Sequence, residues 1–245
     1  DTGSSKYINS LFEKDEYFDL LNMAMESIDY SKFSDQELII LNGLPAISSG
    51  LGNELGKFIQ KGGNLVVFPG EDIDLVSYNE NLFENNGARS FTSIDTVNTR
   101  TNRLNLESRF YSDVFNDVPE NMDLPNVFGH MRFSSSGTAD EDILIWMQNN
   151  DPFLIRYEIG KGVIYQFATS LQKEQSNFAE HAIFVPVMYK IGMNSQHSSP
   201  LFYTIGHDTP LLLRGTKGGN QEHVYHLKRF GANEKVDIDI IPEVR

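Results

Sequence analysis

Three carboxylates, Glu71, Asp72 and Asp74, follow directly on an aliphatic run, residues 64–68 (NLVVF), that ends in Pro69-Gly70. Such a run reads as a buried strand, and open α/β sheets bind ligands beyond the carboxyl ends of their strands. Acidic groups placed there could hold a cation or work as an acid and base pair. The simpler reading is a solvated turn that caps the next helix. Ser170 stands just beyond a second run, residues 162–167 (GVIYQF), and invites comparison with a serine nucleophile. It lacks a G-x-S-x-G elbow, and the nearest following histidine, His181, is eleven residues on. Gly43 and Ser48-Ser49-Gly50 could offer a helix N-terminus to an anion. No Gly-Lys-Ser/Thr follows them, so plain capping is the better reading.

Other chemistry is thinly represented. With no cysteine in the chain, a thiolate nucleophile, a disulfide and a Cys-ligated zinc are all excluded. His223 and His226 would point to opposite faces of a strand, and His130, His197 and His207 are isolated in sequence. No metal site built on histidine is expected, and no cofactor. Trp146, Phe153, Tyr157, Tyr165 and Phe167 make an aromatic-rich stretch that reads as core and cross-strand packing in preference to a sugar- or peptide-binding platform.

The elements that position these residues follow from periodicity and punctuation. Residues 6–14 put Tyr7, Ile8, Leu11 and Phe12 on one helix face, with Ser5 as N-cap. Residues 18–25 are apolar enough for a strand. Residues 37–41 (ELIIL), stopped by Asn42-Gly43, read as a buried parallel strand. A helix over 48–61 is capped by Ser48 or Ser49 and ended by Gly62-Gly63. With strand 64–68 it completes a right-handed βαβ unit. Normally a strand would also precede the helix at Lys6, and none is present in the sequence. Residues 74–85 read as a helix. Residues 89–132 are polar, with Pro119 and Pro125, and predict irregular structure with short strands. Runs at 143–147, 153–159 and 163–167, separated by Asn/Asp- and Gly-rich turns, predict an antiparallel meander. Residues 178–193 predict an apolar helix that Pro186 kinks or whose true start it marks.

These elements divide the 245 residues into an α/β domain over 1–195, a linker over 196–200 and a small β module over 201–245. Strands are expected in the last at 211–214, 223–227 and 236–241. The net charge of −14 disfavours nucleic acid and anionic lipid as partners. No apolar run approaches the roughly 18 residues that span a bilayer. The polar start and abrupt finish read as boundaries at which flanking segments were removed.

Residues 37–70 resemble the core of class I glutamine amidotransferases. In that family a strand, helix, strand unit ends in a G-x-C-x-G elbow. Here Phe68 or Pro69 takes the cysteine's place. The run GVIYQFATS resembles the family's second catalytic strand, which ends in Q-F-H-P-E. Gln166-Phe167 remain, and Ala168, Thr169 and Ser170 stand where His, Pro and Glu would be. The resemblance therefore implies an α/β, flavodoxin-like, mainly parallel sheet flanked by helices, with a small β module after it and no amidotransferase chemistry. Its candidate strand-end crevice is Phe68, Pro69, Gly70, Glu71, Asp72 and Ser170. More narrowly, GGNLVVFPG, DPFLIRYEIGKGVIYQFATS and FVPVMYKI are similar to amidotransferase-like domains of membrane-anchored aerotolerance-type proteins. That implies a periplasmic placement, an anchor outside this sequence and protein partners such as von Willebrand A-domain envelope proteins. The expected role is a non-catalytic interaction or scaffold module. The alternative is a hydrolase or amidase that recruits Glu71, Asp72, Asp74 or Ser170.

Overall fold

The computed structural model describes residues 3–111 and 123–196, and the backbone of residues 225–228 and 237–240. The chain forms two compact units, Asp1–His197 and Ser198–Arg245. The first unit begins with helix α1 (Ser5–Phe12), followed after an irregular stretch by strand β1 (Leu38–Asn42), helix α2 (Ser49–Gln60) and strand β2 (Asn64–Phe68). The Ser48 hydroxyl accepts the Leu51 N–H at 3.2 Å and caps α2. Next come a single-turn helix α3 (Leu75–Tyr78) and strands β3 (Phe91–Asp95), β4 (Thr99–Leu104), β5 (Asn126–Val127) and β6 (His130–Phe133). Strands β7 (Asp140–Met147), β8 (Pro152–Ile159) and β9 (Gly162–Phe167) and helix α4 (Phe184–Ser195) complete it.

Seven strands form one sheet in the order β1-β2-β9-β8-β7-β4-β5, while β3 and β6 pair separately. The chain is thus α/β, with a sheet flanked by helices. The expectation of a mainly parallel sheet is corrected. Only β1, β2 and β9 run parallel, and β9, β8, β7, β4 and β5 are antiparallel neighbours. The reason lies in the turns. Asn150 and Gly160 take positive φ of 65° and 61°, giving tight reversals of a kind that can join only antiparallel strands.

Side chains alternate across β2. Val66 and Phe68 enter one core with α1 and α4, while Leu65 and Val67 enter the other with α2. Three other expectations shift. Residues 18–25 pair with no strand among the described residues and run into a short 3₁₀ turn, Met25–Ser27. The helix expected over 74–85 runs unbroken from Leu75 to Asn86 but changes type after Tyr78, to a wide turn of π type, Asn79–Phe83, and then a 3₁₀ turn, Glu84–Asn86; at the change the Asn79 side chain bonds both backbone groups of Phe91, at 2.8 and 2.9 Å. The helix expected over 178–193 starts at Phe184, which puts Pro186 in its first turn, where its missing N–H costs nothing. In the second unit, β10 (Tyr225–Lys228) pairs antiparallel with β11 (Asp237–Ile240). The strand expected at 211–214, and residues 197–200 of the expected linker, lie outside the described residues.

Candidate functional site

The carboxyl ends of β1, β2 and β9 meet the start of β8 along one edge of the sheet, since Leu154 lies opposite Phe167. This is the edge on which ligands bind in open α/β sheets. At the end of β2, Phe68 is fully buried and its ring stacks on Phe167 at 4.2 Å, with Phe153 and Phe178 packed edge-on or tilted against the Phe167 ring. Pro69 and Gly70 are buried behind it. The Gly43 N–H donates to the Phe68 carbonyl at 3.0 Å, which ties the ends of β1 and β2 together. Glu71 and Asp72 turn out to solvent. Asp74 caps α3, its Oδ1 accepting the N–H groups of Val76 and Ser77 at 3.1 and 3.3 Å.

At the end of β9 the chain is equally engaged. Ala168 donates to Phe153 O at 2.9 Å and accepts from Met131 N at 2.7 Å. Thr169 is fully buried, and Ser170 is 2% exposed. The Ser170 hydroxyl accepts the Gln172 N–H at 3.1 Å while its own N–H donates to Gln175 Oε1 at 2.8 Å, so it builds a local turn. His181 accepts the Ile183 N–H on Nδ1 and places Nε2 3.6 Å from Asp123. The structure therefore brings Phe68 onto Phe167 and buries Pro69, Gly70 and Ser170, but sends Glu71 and Asp72 outward. The six crevice residues do not converge on a reacting centre, and Glu71, Asp72, Asp74 and Ser170, the residues of the hydrolase alternative, are turned to solvent or engaged in local turns.

A different group does converge near this edge. His130 Nε2 lies 3.1 Å from Asp151 Oδ2, and Arg132 Nε lies 3.1 Å from Asp95 and 3.7 Å from Asp151. Asn149 donates to Asp151 at 2.9 Å. The ligand atoms of Asp95, His130 and Asp151 all lie within 4.8 Å of one another, a set that could hold a divalent cation through O and N donors. In the chain as it stands, the Arg132 guanidinium supplies the positive charge. His130, expected to be isolated, is thus buried in a charged cluster. Sequence reading missed it because β3, β6 and the β7–β8 turn bring its members together without any local spacing motif.

The Asp95 carboxyl is held below the usual carboxylate range. The main cause is the hydrogen bond from Val97 N–H, at 2.9 Å; the charges of His130 and Arg132 add to it, and partial burial opposes it. A carboxyl with a lowered folded-state pKa contributes stability that is present above its unfolded pKa and lost as pH falls through the folded value. Asp95→Asn is accordingly expected to flatten the acid limb of the stability curve below about pH 4, read from urea midpoints at a series of pH values. An acid limb unchanged by the substitution would mean that the carboxylate is not held in this way.

On the opposite edge, a cleft of about 440 Å³ is lined by Ser108, Arg109, Asp142, Arg156, Glu158 and Asn194 among others. Several of its charges are engaged with neighbours: Arg156 bonds Glu158 at 2.8 Å, and Asp142 takes hydrogen bonds from Asn105 and Ser108. Glu141, also in its lining, forms a two-point ion pair with Arg89. Of the aromatic stretch, Phe153, Tyr157, Tyr165 and Phe167 are buried, and Trp146 carries the Arg103 guanidinium over its ring at 5.2 Å.

No protein-family model matches the sequence, and no curated protein matches it. Solved structures do match in fold. Cytoplasmic protein STM1381 of Salmonella typhimurium LT2 superposes with a TM-score of 0.61 at 12% identity, over 80% of this chain and 89% of its own. Cytoplasmic protein STM3548 of Salmonella typhimurium gives 0.56 at 12% identity, over 77% and 86%. A β-galactosidase from Bacillus circulans sp. alkalophilus gives 0.53 at 15% identity, over 77% of this chain but 26% of the enzyme. At these identities the likeness is one of fold. The periplasmic placement implied by the resemblance is corrected here: both Salmonella proteins are described as cytoplasmic, and nothing in the structure speaks for the periplasm. Among the described residues, no helix is long and apolar enough to cross a membrane.

Proposed function

We propose that residues 1–195 form a flavodoxin-like, amidotransferase-like domain without amidotransferase chemistry, which acts by binding other proteins. One observation carries this reading. Where the resemblance puts a nucleophile, the Phe68 ring is buried against Phe167. The place of the base and its orienting acid is taken by Ala168, Thr169 and Ser170, all buried. An elbow works by exposing its nucleophile at the strand end, and here the same strand end is packed as core.

Protein binding fits a rigid, acidic α/β body whose strand-end edge is filled. The resemblance makes a protein with a von Willebrand A domain the partner class to look for first. The test is purification of the tagged full-length protein from its native cells after mild cross-linking, with mass spectrometry. A partner recovered in fixed ratio, and lost when residues 1–195 are deleted, is the expected result. Retention of every partner by the deletion, or release of ammonia from glutamine by the purified protein, would overturn the reading.

A further inference from the structure

Among the described residues, the first strand of the sheet has an edge with no strand beside it. Among the described residues β1 pairs only with β2. Its sequence is Leu38-Ile39-Ile40-Leu41, yet only Leu41 is buried, whereas every residue of β2 is. Parallel strands are normally interior. Natural edge strands carry a charge, a proline, a bulge or a cover, and β1 has no charge, proline or bulge. The backbone shows which groups face away from β2. Glu37 O accepts from Asn64 N at 2.9 Å, and Gly43 N donates to Phe68 O at 3.0 Å. Odd-numbered positions therefore face β2, and strand alternation turns the N–H and C=O groups of Leu38, Ile40 and Asn42 to the open edge.

A second stretch nearby lacks a partner. Residues 18–25 are apolar but enter no sheet. Phe18 packs on Phe12 of α1 and Tyr189 of α4, while Leu21 and Met23 stay exposed. Further on, Phe33 packs on Phe58 of α2, on the other face of the sheet. The chain thus passes from one face to the other on the β1 side.

Handedness links the two. The crossover from β1 to β2 runs through α2 on one face. Because parallel crossovers are right-handed, a strand that leads into α1, on the opposite face, must be followed by a step in the opposite direction, away from β2. The N-terminus of α1 sits at the carboxyl end of β1, where Asn42 Nδ2 lies 3.2 and 3.3 Å from the hydroxyls of Ser4 and Ser5. A strand rising beside β1 would therefore enter α1 directly. Residues 18–25 would follow as the outermost strand, and the return over the α2 face to β1 would again be right-handed.

We propose that the open edge of β1 takes up one further strand, parallel to it and apolar on both faces, lying between β1 and residues 18–25 and continuing into α1. Its occupant is polypeptide joined ahead of Asp1 in the natural protein. The inference goes beyond the binding role proposed above and does not rest on it.

Nuclear magnetic resonance of the full-length protein tests it. The amides of Leu38 and Ile40 should show cross-strand Overhauser contacts to residues ahead of Asp1. They should also exchange with solvent at least about 100-fold more slowly than in residues 1–245 alone. Free exchange of both amides in the full-length protein would overturn the proposal. So would protection that grows with concentration, which assigns the edge to a second copy, or protection that appears only when another protein is added. A natural protein that starts at Asp1 would overturn it as well.

Discussion

Phe68→Ala is expected to lower the unfolding free energy by about 3–5 kcal/mol. The ring is fully buried and lies flat on Phe167, which in turn meets Phe153 and Phe178. Removing it opens a cavity among aromatic side chains fixed from three other elements, so collapse can recover little of the loss. Urea unfolding followed by the fluorescence of Trp146, the single tryptophan, measures the effect within the first unit. A loss below about 1 kcal/mol would mean that the strand ends are loosely filled. A crevice could then open there, and the binding-module reading would lose its main support. Stability and function are joined at this position because one side chain both closes the edge and occupies the nucleophile's place.

Gly52→Ala should also be strongly destabilising, by about 2–3 kcal/mol, against the usual sign for such a change in a helix. In an exposed helix interior the exchange gains up to about 1 kcal/mol. At position 52, however, a Cβ would overlap the backbone carbonyl of Asn81, in the wide turn after α3. That carbonyl has little room to retreat, since the Asn81 side chain is tied to Ile47 O at 2.8 Å. Gly56, one turn on in α2, is the control: the nearest atom to a Cβ there is Asn86 Oδ1, at 3.8 Å. Gly56→Ala should stabilise by about 0.5–1 kcal/mol. Thermal melts of the two variants should therefore move in opposite directions. A shift of both to higher temperature would show that the α2 contact is not tight.

What could be read from the sequence was what local chemistry dictates. Strand β2 is announced by five apolar or neutral residues held between Gly62-Gly63 and Pro69, and α2 by Ser48 at one end and Gly62 at the other. The helix over 75–86 was legible from its apolar spacing, but its change to a π turn after Tyr78 was not. The change coincides with the Asn79 amide reaching Phe91, a contact set by tertiary structure. Residues 18–25 have the composition of a strand, but composition does not provide a neighbour. The crevice was legible in part: the strand ends were placed correctly, while Glu71, Asp72 and Ser170 proved to be a solvated turn and a buried turn. The group around His130 was not legible, because Asp95, His130, Arg132 and Asp151 come from three separate segments and none looks unusual where it stands.

The parallel seam between β2 and β9 joins residues 64–67 to residues 163–166, which sets the order in which the chain can assemble. The hairpins of β7, β8 and β9 close short loops and can form within microseconds. The seam must close a loop of roughly a hundred residues, an entropic cost on the order of 4 kcal/mol that no neighbouring contact repays beforehand. During synthesis, at about 5–20 residues per second, β2 would wait roughly 5–20 s for its partner. Over that interval the apolar edge of Leu65, Val66 and Val67 stays open, so the nascent chain is most exposed to misassociation, and most in need of a chaperone, before β9 emerges.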